Sequence, residues 1–126
     1  MNGGGASQST LLNCVLSSNS APNGGGADNS TLRNCTVVRN FADIGGGVVV
    51  CNVGNSLIYG NTATNAGGAY VSTLNNCTVA GNSALRTGGG VLSGATFNSI
   101  VYSNTAPEEA NFTEVVNVPF NGVSPL

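Results

Sequence analysis

Residues 67–84 read GGAYVSTLNNCTVAGNSA, and nearly all of the remaining chain aligns beneath this stretch as an earlier or a later copy. The glycine runs that open the copies begin at Gly3, Gly24, Gly45, Ala66 (Ala in place of the first Gly) and Gly88, giving steps of 21, 21, 21 and 22 residues. A fixed period in this range marks a repeat array, in which each copy is one structural unit that buries its apolar face by stacking on its neighbours. About five coils fill residues 3–107, and residues 108–126 form an irregular closing segment.

Two columns carry the apolar signal within the copies. Leu11, Leu32, Val53, Leu74 and Thr96 share one register; Leu16, Val37, Ile58, Val79 and Val101 share another. Between them Leu12, Arg33, Gly54, Asn75 and Phe97 vary freely, which is the period of two expected of a strand with one buried face. No copy offers a glycine-free stretch long enough for a helix of period 3.6. The prediction is therefore an all-β parallel solenoid with both columns inside. Rungs spaced by ~4.8 Å make such a prism about 24 Å long.

The glycine runs are read as corners, because a tight turn of positive φ costs glycine no Cβ clash. After them come short strands, of which Val48 to Val50 is the clearest, being β-branched throughout. Two asparagine columns are unbroken: Asn13, Asn34, Asn55, Asn76, Asn98, and Asn19, Asn40, Asn61, Asn82, Asn104. Asparagine tolerates left-handed backbone angles and its amide can bond both neighbouring backbone and the identical amide one coil away, so both columns are expected as corner ladders, the alternative being an exposed row of amides that binds sugar or ice. The alanine column that follows, Ala21, Ala42, Ala63, Ala84 and Ala106, is expected to pack closely at a corner. In the closing segment, an irregular strand is expected around Val115 to Val118, with Phe112 and Phe120 folded over the last coil.

Ionisable chemistry is nearly absent. Only 6% of residues are charged, with no His and only three basic residues, Arg33, Arg39 and Arg86. No basic patch exists to hold phosphates by counterion release, so nucleic acid is not an expected partner. Cys14, Cys35 and Cys77 share a column with Ser56 and Ser99, while Cys51 stands with Ser9, Ser30, Ser72 and Gly94. Cysteine that alternates with serine in this way reads as a small buried residue. Neighbouring thiols pointing the same way lack disulfide geometry, and no metal is expected without His or closely spaced ligands. Asp28, Asp43, Glu108, Glu109 and Glu114 do not share a column, so no catalytic pair and no cofactor site is expected. No signal peptide or apolar membrane span is legible, and membrane insertion is not expected.

Tyr59 and Tyr102 occupy one outward column two coils apart and are the candidate binding residues, able to stack on sugars. The nearest outward row of hydroxyls, Thr10, Thr31, Asn52, Thr73, Ala95, is interrupted twice and makes a poor flat ligand-binding ladder.

Asn34 to Val37 and Asn76 to Val79 both read NCTV; with Asn82 to Ala84 (NSA) and the five glycine runs, the chain resembles right-handed parallel β-helix repeats of bacterial surface and secreted proteins, of polymorphic outer-membrane-protein or autotransporter-passenger type. The resemblance covers about residues 3 to 107. It implies a three-sheet right-handed coil, an extracellular or cell-surface setting and a stalk or adhesin-like role, and it supplies no catalytic residues. The expectation is a non-enzymatic structural or adhesin-like piece of a longer chain, with a glycan or a host or cell-surface ligand as partner. The alternative is a carbohydrate-active β-helix, of lyase or hydrolase type, or a glycan-binding fragment.

Overall fold

The computed structural model describes residues 3–116 and 122–123. The described chain is all β and parallel, wound as a solenoid of about five coils. In the first coil lie β1 (Ala6–Ser7), β2 (Thr10–Leu12), β3 (Val15–Ser17) and β4 (Ser20–Asn23). The second carries β5 (Ala27–Asp28), β6 (Thr31–Arg33), β7 (Thr36–Val38) and β8 (Phe41–Ile44). The third carries β9 (Val48–Val49), β10 (Asn52–Gly54), β11 (Leu57–Tyr59) and β12 (Thr62–Asn65). In the fourth, the first two strands merge into β13 (Ala69–Asn75), followed by β14 (Thr78–Ala80) and β15 (Ser83–Thr87). The fifth holds β16 (Val91–Phe97) and β17 (Ile100–Tyr102), and beyond it β18 (Phe112–Val116) and β19 (Gly122–Val123) extend the sheets.

Each strand pairs with its counterpart one coil away, and the register follows the repeat. Val53 pairs with Leu32 and Leu74, and Ile58 with Val37 and Val79. Three sheets result: the first holds β1, β2, β5, β6, β9, β10, β13, β16 and β18, the second β3, β7, β11, β14, β17 and β19, and the third β4, β8, β12 and β15. Both predicted columns point inward. Leu32, Val37, Val53, Ile58, Leu74, Val79, Thr96 and Val101 are fully buried. Leu16 is buried at 7% exposure and Leu11 only partly, because the first coil has a neighbour on one side alone. The extra residue of the 22-residue step falls in β15, where Ala63 pairs with Ala84 but Asn65 with Thr87. It is absorbed as a β-bulge.

The glycine runs are bends packed between coils, and they lie so close together that backbone meets backbone. A Cβ at Gly25 would stand 2.5 Å from Gly46 O, one at Gly46 2.6 Å from Gly67 O, and one at Gly67 2.5 Å from Gly89 O. No side chain fits there, so the second glycine of the run is required by space, while the left-handed angle falls on the residue before it, Gly24, Gly45 and Ala66.

Several expectations change. The strand at Val48 stops at Val49, and Val50 turns out of the sheet at φ 50°, exposed to 51%. A β-branched side chain in the left-handed region is strained. The first asparagine column does lie at corners, with φ between 47° and 55° at Asn13, Asn34, Asn55, Asn76 and Asn98. The second lies at corners too, between strands such as β7 and β8 or β11 and β12, but there the left-handed residue is the one before, Ser18, Arg39, Gly60, Gly81 and Ser103. Asn40, Asn61, Asn82 and Asn104 are buried inside the coil. The alanine column, by contrast, is not at a corner; Ala21, Ala42, Ala63 and Ala84 pair in register within the third sheet, while Ala106 falls outside its strands. The strand expected around Val115 runs from Phe112 to Val116, Val118 and Phe120 lie outside the described residues, and so does the Phe112 side chain.

Two substitutions test this account in a urea melt. Ile58→Ala, which empties a fully buried site, is expected to lower stability by about 2 to 5 kcal/mol. Val50→Asn, which places at φ 50° a residue that accepts left-handed angles, is expected to raise it by about 1 kcal/mol. Destabilisation by Val50→Asn would contradict the strain assigned there.

Candidate functional site

The two candidate tyrosines lie on the outer face of the second sheet, built from β3, β7, β11, β14, β17 and β19. Their strands alternate, so Leu16, Val37, Ile58, Val79 and Val101 enter the core while two outward columns flank them. One column reads Val15, Thr36, Leu57, Thr78, Ile100; the other reads Ser17, Val38, Tyr59, Ala80, Tyr102. Neither contains a charge. Tyr59 and Tyr102 are about half exposed, at 50% and 47%.

Between them, Ala80 points outward yet is only 4% exposed. The ring of Tyr59 lies across the next coil, with Cε2 2.9 Å, Cζ 3.3 Å and Cδ2 3.4 Å from the position a Cβ would take at Gly81. A side chain at Gly81 would push the ring away, and its φ of 63° suits glycine in any case. Small residues at 80 and 81 thus give the Tyr59 ring a flat seat. The sequence placed Tyr59 and Tyr102 in one column but did not reveal this seat, which depends on which way the ring leans.

Beside these columns runs a shallow groove of ≈ 490 Å³, lined along one edge by Asn34, Asn55 and Asn76 and along the other by Thr36, Leu57 and Thr78. The left-handed turn at each of these asparagines sets its side chain outward, and all three are exposed. The exposed row Asn34, Asn55, Asn76 is the alternative to a corner ladder that the sequence leaves open; the outward column Thr36, Leu57, Thr78 was the signal that could have placed a groove beside it.

Beneath the groove the serine and cysteine columns hold the corners by hydrogen bonds. Ser56 Oγ accepts the Cys35 N–H at 3.0 Å and donates to Gly54 O at 2.8 Å. Ser99 Oγ accepts the Cys77 N–H at 3.1 Å and donates to Phe97 O at 2.7 Å. Cys35 Sγ donates in the same direction, to Arg33 O at 3.2 Å. Serine and cysteine are therefore interchangeable here because both hydrogen-bond, a role beyond that of small apolar filler. Cys35, Cys51 and Cys77 are buried, and Cys14, on the end coil, is partly exposed. Burial pushes the Cys51 thiol from 9.0 up to about 11, against a lowering by its backbone hydrogen bonds at Ser30 and Val49. Burial also raises Cys77.

Acidic and basic groups do not converge on this face. Among the described residues no three His, Cys, Asp or Glu side chains are grouped to hold a metal ion. Arg86 and Glu108 line a separate cavity of ≈ 450 Å³ with Asn65, Leu85, Thr87 and Pro107, beside the bulge of β15. Arg33 sits at the end of β6 with its guanidinium over Gly54. No helix among the described residues is long and apolar enough to cross a membrane. Comparison with protein-family models, with curated proteins and with solved structures gives no match to this chain.

The thiols give a test with a definite sign. A folded thiol that keeps its proton to higher pH than the unfolded one contributes stability that is intact below pH 9.0 and lost as pH rises toward about 11. The urea midpoint is expected to fall across that window, and to fall less in Cys51→Ser, since serine fills that column in other coils. With a thiol reagent at pH 8, Cys14 is expected to react first and the buried three slowly, with four thiols released on denaturation.

Proposed function

We propose that this chain is a non-enzymatic structural or adhesin-like segment of a larger bacterial secreted or surface protein, acting outside the cell. The observation that carries the reading is the contrast between the inside and the outside of the coil. Inside, polar groups are committed to one another: among the described residues no buried side-chain nitrogen or oxygen lacks a partner. Outside, the second sheet offers amides, hydroxyls, methyls and two tyrosine rings, the materials of a contact surface, while acid–base catalysis needs a matched proton donor and acceptor brought together. The extracellular bacterial setting rests on the likeness of the NCTV, NSA and glycine-run pattern to β-helix repeats of such proteins. A stalk or contact role also suits a solenoid, whose coils touch only their neighbours and so extend a surface without a central site. Scarcity of basic residues disfavours nucleic acid as a partner.

A carbohydrate-active enzyme is the rival class, and the cavity holding Arg86 and Glu108 is where it would have to act. Incubation with neutral and uronate polysaccharides, followed by a reducing-end assay and by absorbance for unsaturated products, separates the two. The expected result is no product above the blank. Product that disappears in Glu108→Gln would overturn the non-enzymatic reading.

A further inference from the structure

We propose that the outer face of the second sheet binds an extended, neutral glycan laid along the solenoid axis, with sugar rings on Tyr59 and Tyr102 and hydroxyls against Asn55 and Asn76. The inference rests on the non-enzymatic reading above and adds to it a ligand class and a direction.

Three observations point the same way. The Tyr59 ring is seated on Gly81, and it remains half exposed. An aromatic face held in place and open to water suits the C–H face of a pyranose, by the same apolar stacking that aromatic rings offer to flat ligands. Tyr102 adds a second ring in the same column, 47% exposed, with Ala80 between them covered to 4% exposure. Strands one rung apart are ~4.8 Å from each other, so the backbones that carry the two tyrosines stand about 10 Å apart along the axis, within the reach of a disaccharide unit in an extended β-linked chain. In such a chain the same ring face recurs at every second sugar, matching two tyrosines with a small residue between.

The groove supplies the polar half. Asn34 with Thr36, Asn55 with Leu57 and Asn76 with Thr78 run along the axis, one pair per coil, with the Thr36, Leu57, Thr78 column next to that of the tyrosines. Amides and hydroxyls both donate and accept, as sugar hydroxyls do. Neither outward column contains a charged residue; Arg33, over Gly54, and Arg39, over Gly60, stand only at the margins, and the stacking surface between them is uncharged. A ligand lying across the axis would meet only one ring. Laid along it, a chain reaches both rings and successive asparagines.

The test is a titration of the ¹⁵N-labelled chain with cellohexaose, xylohexaose and mannohexaose, followed by amide shifts. At least one hexaose is expected to give saturable shifts at residues 55–60, 78–82 and 100–103, and its monosaccharide to bind at least about tenfold more weakly, since it spans one ring only. Tyr59→Ala and Tyr102→Ala are each expected to weaken binding by about tenfold, and Tyr59→Phe to stay within about threefold, because stacking and not the hydroxyl carries the contact. Tyr70→Ala, on β13 of the first sheet, is expected to leave binding unchanged. Thermal melts confirm that each variant is folded. No saturable shift with any of the three hexaoses overturns the proposal, and so does binding that survives loss of both tyrosines. Either result leaves the non-enzymatic reading standing, because only product formation in the reducing-end assay removes that.

Discussion

The coil is held in register by a stack of buried amides. Asn40 Oδ1 accepts the backbone N–H of Asn19 at 2.9 Å and its Nδ2 at 3.1 Å, while Asn40 Nδ2 donates to Leu16 O at 2.9 Å and to Asn61 Oδ1 at 3.0 Å. Both donors and both lone pairs of the side chain are used. Asn61 and Asn82 repeat the arrangement, each Nδ2 reaching back to Val37 O or Ile58 O at 2.9 Å and onward to the next amide. Asn104 closes onto Asn111, which takes the next place in the stack although it lies only seven residues on in the chain. A slip of one residue in any coil would leave several buried polar groups without partners, at roughly 1 to 3 kcal/mol each. A fixed coil length follows from that penalty, and the single longer coil confines its extra residue to a bulge on the third sheet.

Around this stack, the remaining devices serve the same spacing. The glycine bends let coils approach until a Cβ would strike the next carbonyl, and Ser56 and Ser99 carry hydrogen bonds across other corners. Every inward position is thus occupied by a residue that either fills volume or completes a bond to the adjacent coil. Specificity is local: each coil is matched to two neighbours, as expected of a solenoid. The outer surface is released from these constraints. There the chain tolerates Val15, Thr36, Leu57, Thr78 and Ile100 in a single column. Such freedom is what permits a contact surface to be written on the outside without disturbing the coil.

The face formed by the second sheet shows how that freedom is used. Tyr59 leans over Gly81, so the identity of a residue in the next coil decides the pose of a ring in this one. Ala80 matters in the same way, since a larger side chain between the tyrosines would break the surface they form. A solenoid therefore composes a site from single residues contributed by successive rungs, with the spacing set by the strand-to-strand distance.

The period, the inward columns and the β class were legible in the chain itself, because the repeat of 21 residues superposes Leu32 on Val53 and Val37 on Ile58, and alternation then tells inside from outside. Three things were not legible. The two asparagine columns look alike in sequence and both were expected to form ladders, yet the first stands exposed at left-handed corners and only the second is buried as an amide stack. The end of the strand at Val49 runs against the β preference of Val50, since the corner imposed by the coils above and below outweighs local propensity. The seat of Tyr59 depends on the direction in which a side chain leans between coils. Sequence determined which residues recur, and hence which way each strand faces. Only the stacked coil decided which amide meets which, where the backbone turns left-handed and how a ring lies on its neighbour, because these are set by contacts between residues a full coil apart.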